Sequence, residues 1–330
     1  MNIFSVITLI VIVFLLYFVF STSKGEAVAY TPAKKQLSLP VSSSAEDIES
    51  YLQNSEVKYD DIKPDTEKKI QWFHNNKSKT DISIVYLHGF SATRKEVSPL
   101  TENIAQKLGA NVFFTRLTGH GRSDSAMAEV SVENLLADAL EAFEIGKKIG
   151  NRVVIVGMST GSTLATWLAA HPDLEGIAGV ILLSPNYGLI DPKSEWLLKP
   201  AARFWLPIVE GRSYQFTPDN DQQAIFWTYK YPTVALIPMM ELVNYVINLP
   251  LQNIRPPVLV LYSEEDKIVD VSKIKAVYEQ IGSQSKQIAA IKDTQGSQHH
   301  VIAGDILSPL TTAVVEKHIL SFLSNLKTSL

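Results

Sequence analysis

The chain has 330 residues, of which 46% are hydrophobic and 19% charged, and it contains no cysteine. The missing cysteine excludes a disulfide framework, thiolate zinc or iron–sulfur centres and a cysteine nucleophile; the apolar fraction excludes disorder throughout. A formal charge of −4 supplies no attraction for nucleic acid, so none is expected as a partner.

Residues 1–20 carry no charged side chain, and Ile3 to Phe20 are apolar apart from Ser5 and Thr8. Rising about 1.5 Å per residue as a helix, that run reaches roughly 27 Å, close to the hydrocarbon thickness of a bilayer. The expectation is a single-pass transmembrane anchor over residues 1–22 and a membrane localisation. The competing reading is a cleaved signal peptide and a secreted or periplasmic protein, since Ala27-Val28-Ala29 has the small-residue pattern of a cleavage site. Against cleavage, the apolar run is long for a signal core and no Lys or Arg precedes it. Lys24, Lys34 and Lys35 follow the span and favour a cytoplasmic C-terminal side, but long domains translocate largely regardless of such charges, so the side of the globular part stays open.

Residues 23–69 read as a linker followed by a short helix. Ser44-Ala45-Glu46-Asp47 is a capping-box pattern, with Ile48, Tyr51 and Leu52 following at helical spacing. Beyond residue 70, short apolar runs alternate with amphipathic stretches. Candidate strands are Ile70–Phe73, Ile82–Leu87, Asn111–Thr115, Arg152–Val156, Val180–Leu183, Val258–Tyr262 and Gln287–Ile291. Helical patterns run from Glu96 to Leu108, Val132 to Ile149 and Thr160 to His171, and a further amphipathic one from Thr311 to Leu326. Strands alternating with helices imply an α/β fold whose mostly parallel sheet is covered on both faces. Residues 187–252 break that rhythm with Trp-, Phe-, Tyr- and Pro-rich sequence. They read as a helical cap inserted into a core made of residues 70–186 and 253–330.

Gly157-Met158-Ser159-Thr160-Gly161 is the strongest chemical signal. The apolar run Arg152–Val156 precedes it and a helical pattern through Leu164, Trp167 and Leu168 follows, the context required of a nucleophile elbow. The turn is so tight that the residues two before and two after the serine must lack bulk. A serine hydroxyl is a poor nucleophile until a base takes its proton, and the base needs an acid to orient it. Chain order in such folds is Ser, then Asp or Glu, then His. That order removes His74, His88 and His120 as the base; His171 ends the elbow helix, and His318 sits in the amphipathic C-terminal pattern. His299 and His300 remain. His300 is preferred, because Val301-Ile302 can seat its imidazole over the sheet, while His299 stays an alternative. The acid should lie just beyond Val258–Tyr262, in Ser263-Glu264-Glu265-Asp266. Asp266 is preferred; Glu265 and Asp270 are alternatives that equally suit solvated loop acids or helix caps.

The chain resembles α/β-hydrolases of the branch holding monoacylglycerol lipases, carboxylesterases and serine aminopeptidase-like proteins. The resemblance lies in Tyr86-Leu87-His88-Gly89-Phe90, Gly119-His120-Gly121-Arg122-Ser123, the elbow, Ser263–Asp266 with Ile268-Val269, and His300-Val301-Ile302. It implies a catalytic set of Ser159, Asp266 and His300, an oxyanion hole from the backbone N–H groups of Phe90 and Thr160, and structural roles for His88 and His120. Ser263, where many relatives carry Gly, and the doubled histidine depart from that pattern. The implied activity is hydrolysis of a small ester or lipid-derived substrate with an apolar acyl group, without cofactor or metal. The alternatives are an amidase or aminopeptidase using the same groups, and a catalytically silent binding protein.

Overall fold

The structure, a computed structural model, describes residues 29–33 and 43–327. The anchor expected over residues 1–22 lies outside the described residues. Among the described residues, no helix is long and apolar enough to cross a membrane.

The capping box at Ser44 forms as its sequence requires. Ser44 Oγ accepts from the Asp47 N–H at 3.1 Å, and Asp47 Oδ2 accepts from the Ser44 N–H at 2.8 Å, starting helix α1 (Ala45–Glu56). Ile48 and Leu52 bury one face of α1. Beside them the Tyr51 hydroxyl donates to Glu141 Oε1 at 2.6 Å, and Lys68 Nζ pairs with Glu141 Oε2 at 2.6 Å. This short helix is therefore tied to the core by charge-assisted bonds as well as apolar contact.

The sheet has seven strands: β1 (Lys69–Gln71), β2 (Thr80–Leu87), β3 (Asn111–Phe114), β4 (Gly150–Met158), β5 (Ile177–Leu183), β8 (Val258–Tyr262) and β9 (Lys286–Ala290), in the spatial order β1-β3-β2-β4-β5-β8-β9. Only β1 runs antiparallel to its neighbour. Alternate residues serve opposite faces. Ile84, Tyr86, Val154 and Val156 pack under α2 (Leu100–Leu108) and α9 (Thr312–Lys327). Val85, Leu87, Val153 and Ile155 pack under α3 (Val132–Ile149), α4 (Thr160–Ala170) and α8 (Val271–Gln280). With both faces covered, the central strands are apolar at successive positions, which is why they read as continuous hydrophobic runs.

Two local departures from the sequence reading matter for function. The helical pattern beginning at Glu96 becomes helix only at Leu100. Pro99 disfavours helical geometry at Ser98, so Glu96 sits in the turn before the helix with its side chain buried. Between β5 and β8 the insert contains α5 (Ala202–Val209), α6 (Asp221–Phe226) and α7 (Leu236–Ile247), but also a two-stranded antiparallel ribbon, β6 (Ser213–Gln215) with β7 (Lys230–Pro232). Strands of three residues are too short for alternation to show. The insert keeps a small apolar cluster of its own around Leu206, Ile237 and Met240. Leu242 and Val246 of α7 join the main core.

The chain leaves β2 for β3 on one side and returns to β4 on the other. The C-terminal ends of β2 and β4 therefore flank a topological switch point, where open α/β sheets place their ligands.

Candidate active site

Ser159 sits between the last residue of β4 and the first of α4 with φ 53° and ψ −116°. A non-glycine residue pays strain for positive φ, and such strain persists only where its surroundings over-determine it. They do so here. The Ser159 N–H donates to Leu183 O at 2.9 Å, and its carbonyl accepts from the Ser162 and Asn186 N–H groups at 2.9 and 3.2 Å. A Cβ on Gly161 would lie 1.9 Å from Leu87 O, and one on Gly157 would lie 2.5 Å from Gly161 O. Both positions exclude any side chain, as the pattern around the serine implied.

Asp266 follows β8 in a turn that consumes both of its carboxyl oxygens. Oδ1 accepts from the N–H groups of Ile268 and Val269 at 2.8 and 3.0 Å, and Oδ2 accepts from His300 Nδ1 at 2.7 Å. The Asp266 side chain is fully buried and that of His300 nearly so. With Nδ1–H donating to the carboxyl, the tautomer assigned from these partners leaves His300 Nε2 as the basic nitrogen. Behind it, Ser308 Oγ donates to Val301 O at 2.5 Å and Thr311 Oγ1 to Ile302 O at 2.7 Å. These bonds seat Val301 and Ile302 beneath the loop.

The alternatives go elsewhere. His299 has φ 51°; its Nδ1 lies 2.9 Å from Thr294 O and 3.5 Å from Glu265 Oε2, and its side chain is 27% exposed. Glu265 is itself largely solvent-facing at 69%. Asp270 is the N-cap of α8, accepting from the Ser272 N–H at 2.9 Å and the Ser272 hydroxyl at 2.6 Å. That hydroxyl bond is the main reason its carboxyl is held below the usual range.

The opposite wall begins where β2 ends, at His88-Gly89-Phe90. His88 Nδ1 donates to Gly89 O at 2.9 Å, while Nε2 accepts from the Leu117 N–H at 3.0 Å. The Ala92 N–H also donates to Gly89 O, at 3.3 Å. A planar trans peptide points its N–H away from its C=O, so fixing the Gly89 carbonyl fixes the direction of the Phe90 N–H. Burial, with neighbouring His120, holds His88 well below the ordinary histidine range. Burial likewise takes His120 down to about 4. Both rings are neutral wedges: their centroids are 5.1 Å apart, and Phe90 rests edge-on against His120 at 5.3 Å.

Sequence reading missed Glu96. Its Oε1 accepts from the Gly89 N–H at 2.5 Å and from the Tyr86 hydroxyl at 2.8 Å, and burial pushes its carboxyl up to about 8. The available signal was Pro99, which delays the helix and turns Glu96 inward.

Ser159, Thr160, Phe90 and His300 line one cavity of about 700 Å3. Leu189, Tyr231, Leu236 and Met239 give it apolar lining, while Asp219, Gln223, Gln295 and Ser297 give polar lining. Asp266 stands behind His300. A strained serine and a carboxyl-oriented imidazole thus border one space, a combination suited to acyl transfer. Among the described residues, no cluster of three His, Asp or Glu is placed to hold a metal ion.

The family model described as serine aminopeptidase, S33 matches residues 78–302. The chain is 26% identical over 230 residues to a thermostable monoacylglycerol lipase of Bacillus sp. (strain H-257), covering 69% of this chain and 86% of that protein. Among solved structures, one of the metagenome-derived lipolytic enzymes LipS and LipT superposes with a TM-score of 0.66 at 19% identity, covering 80% of this chain and 99% of that one. A soluble variant of monoglyceride lipase from Saccharomyces cerevisiae, in complex with a substrate analogue, gives 0.62 at 14% identity over 79% and 91% of the two chains. The two structural likenesses establish the α/β-hydrolase fold.

Proposed function

The chain belongs to the serine aminopeptidase S33 family, a monoacylglycerol lipase-like α/β-hydrolase of the serine hydrolase class, and from that premise we propose that Ser159, His300 and Asp266 form its catalytic triad for carboxylic ester cleavage. Ser159 Oγ attacks the ester carbonyl while His300 Nε2 takes its proton. The tetrahedral oxyanion is held by the Phe90 and Thr160 N–H groups. Collapse expels the alcohol, which receives the proton from His300 and leaves an acyl-serine. Water, deprotonated by the same nitrogen, then releases the carboxylic acid and restores the serine. Asp266 keeps Nδ1 protonated and stabilises the imidazolium. The single observation that carries the reading is the 2.7 Å Asp266–His300 contact beside the cavity that Ser159 also lines.

The preferred substrate is an ester with an apolar acyl group, of the monoacylglycerol or lysophospholipid kind. Support comes from the apolar lining by Leu189, Leu236 and Met239, and from the lipase names of the relatives. In this reading residues 187–252 act as the cap over a core of residues 70–186 and 253–330, and residues 1–22 tether the enzyme to a membrane. Fluorophosphonate labelling and a panel of esters graded in acyl length, each with a Ser159→Ala control, test the chemistry. Amide substrates belong in the same panel, because the matched family is described as an aminopeptidase. Labelling that survives Ser159→Ala would sink the assignment. Removing residues 1–22 should release active enzyme from membranes; an inactive or insoluble product would refute the tether.

A further inference from the structure

Glu96 is a buried carboxyl in direct contact with the proposed oxyanion loop, and the mechanism above gives it no part. Burial alone argues for a reason, since a carboxyl in an apolar interior is costly unless its oxygens find donors. Here the donors are the Gly89 N–H and the Tyr86 hydroxyl, both converging on Oε1. Tyr86 belongs to β2 and is itself fully buried, so the carboxyl links a rigid strand to the loop that leaves it.

Resting on the proposed hydrolase reading, we propose that Glu96 is the positioning residue of the oxyanion loop, holding the Gly89 amide so that the next amide, that of Phe90, stays aimed at the reacting oxygen. Two constraints then act on consecutive peptides. Glu96 fixes the N–H of Gly89, while His88 Nδ1 and the Ala92 N–H fix its carbonyl. Neither peptide can rotate without breaking a buried hydrogen bond and leaving a polar group unsatisfied. Preorganised amides of this kind supply much of the stabilisation in acyl transfer, because they need no reorganisation as charge develops.

The protonation state matters as much as the position. As a neutral acid, Glu96 orients the loop without placing charge beside it; as a carboxylate, it would set a negative charge one peptide from the developing oxyanion. Burial, opposed only partly by its two donors, brings this carboxyl up to about 8, so it is neutral at lower pH and ionises above that value. The titratable groups placed about it are its partner Tyr86 on β2, His88 beside the bonded Gly89, and Glu102 on α2, which acts on the same Tyr86. Tyr86 is held well above its ordinary range and His88 well below, both mainly by burial. Neither titrates alongside Glu96. Arg94 is engaged by Glu67 and Asp65.

The test compares wild type, Glu96→Gln and Glu96→Ala by ester turnover across pH and by fluorophosphonate labelling. Wild-type kcat should decline as pH passes about 8, the value of the Glu96 carboxyl. Glutamine keeps the acceptor oxygen and cannot ionise, so Glu96→Gln should abolish that decline. Alanine should lower kcat about ten- to a hundredfold with KM changed less than about threefold, below the full loss of one oxyanion donor. Glutamine should restore most of that loss. An alkaline limb that persists in Glu96→Gln, or an alanine variant with wild-type kcat, overturns the inference while leaving the hydrolase reading intact. Wild-type protein that neither labels nor turns over any ester removes the hydrolase reading and this inference together. If Glu96→Ala fails to fold, the Glu96→Gln profile alone decides.

Discussion

The two walls of the cavity are built differently. On the proposed oxyanion side, the consecutive peptides of His88-Gly89-Phe90 are pinned by buried side chains: His88 and Glu96 are 0% and 2% exposed. On the proposed base side stands His300, a side chain on a loop, and part of that loop's support comes from the insert. Asp219 Oδ2 accepts from the Ser297 N–H at 2.7 Å, and Asn220 Nδ2 donates to Ile306 O at 2.9 Å. Gln298 and Ser297, next to the histidines, are exposed. The chemistry proposed for the site accounts for the difference. Stabilising a developing charge rewards fixed dipoles in a dry site, whereas a base that shuttles protons must also admit the water that ends the cycle. The two walls should therefore respond to different kinds of change, the first to loss of a buried acceptor and the second to loss of the base or of its loop's support.

The largest loss is expected at the hinge between them. Ser159→Ala should remove fluorophosphonate labelling and lower kcat at least about ten-thousandfold, as when a triad nucleophile is lost. Its fold should survive, because the serine hydroxyl makes no core contact that alanine lacks. Melting curves that match wild type beside null labelling would establish both points. Gly161→Ala should instead fail to fold, since its new methyl would collide with the Leu87 carbonyl of β2. Soluble, active Gly161→Ala protein would show that the elbow can relax.

Next come the adjacent histidines. His300→Ala should lower kcat at least about a thousandfold, as expected for a triad base. His299→Ala, whose Nδ1 faces Thr294 rather than Asp266, should remain within about tenfold of wild type, because only loop order is touched. The reverse ranking would transfer the base to His299 and require the loop to rearrange. Two weakly affected variants would put the triad itself in doubt.

What could be read from the sequence divides along the same line. The elbow was legible because its requirements are local: a buried strand, two glycines and a helix within one short segment. Helix α3 was equally legible, its apolar stripe ending at Gly150. The pairing of Asp266 with His300 could be anticipated from chain order, but not the two backbone amides that orient the carboxyl or the positive φ at His299. Glu96 was hidden because its amphipathic context looks helical, and only the break at Ser98-Pro99 turns it inward. The bond from Asp219 to Ser297 joins residues 78 positions apart, a distance over which no periodicity carries information. The ribbon β6–β7 was invisible for want of length.

The buried Glu96 carboxyl also ties the stability of the fold to pH. In the unfolded chain Glu96 returns to the ordinary glutamate range, whereas in the fold burial raises it to about 8. The folded state thus binds the extra proton between those values. The sign follows directly: its contribution to stability is fully present below the unfolded value and is lost as pH rises through the folded one. Glu96→Gln should flatten the thermal-stability profile between about pH 5 and 8, with little change at lower pH. A mutant profile that falls as steeply as wild type would assign the slope to other groups.

The smallest effect should come from the link between insert and base loop. Asp219→Ala removes the acceptor for the Ser297 N–H, in a segment already partly open to water. Water can replace that partner, so the fold should lose less than about 1 kcal/mol, the scale of a solvent-accessible hydrogen bond. His300 keeps Asp266 in this variant and so keeps its tautomer; what loosens is the registration of the loop over the cavity. The expected result is a kcat reduced about three- to tenfold with unaltered labelling stoichiometry, because misplacing a reacting group slows chemistry without abolishing it. Asp219→Asn retains an acceptor oxygen and should recover most of the loss. If Asp219→Ala is instead as damaging as His300→Ala, the insert is an integral part of the base machinery. The base wall would then be as tightly constrained as the oxyanion wall.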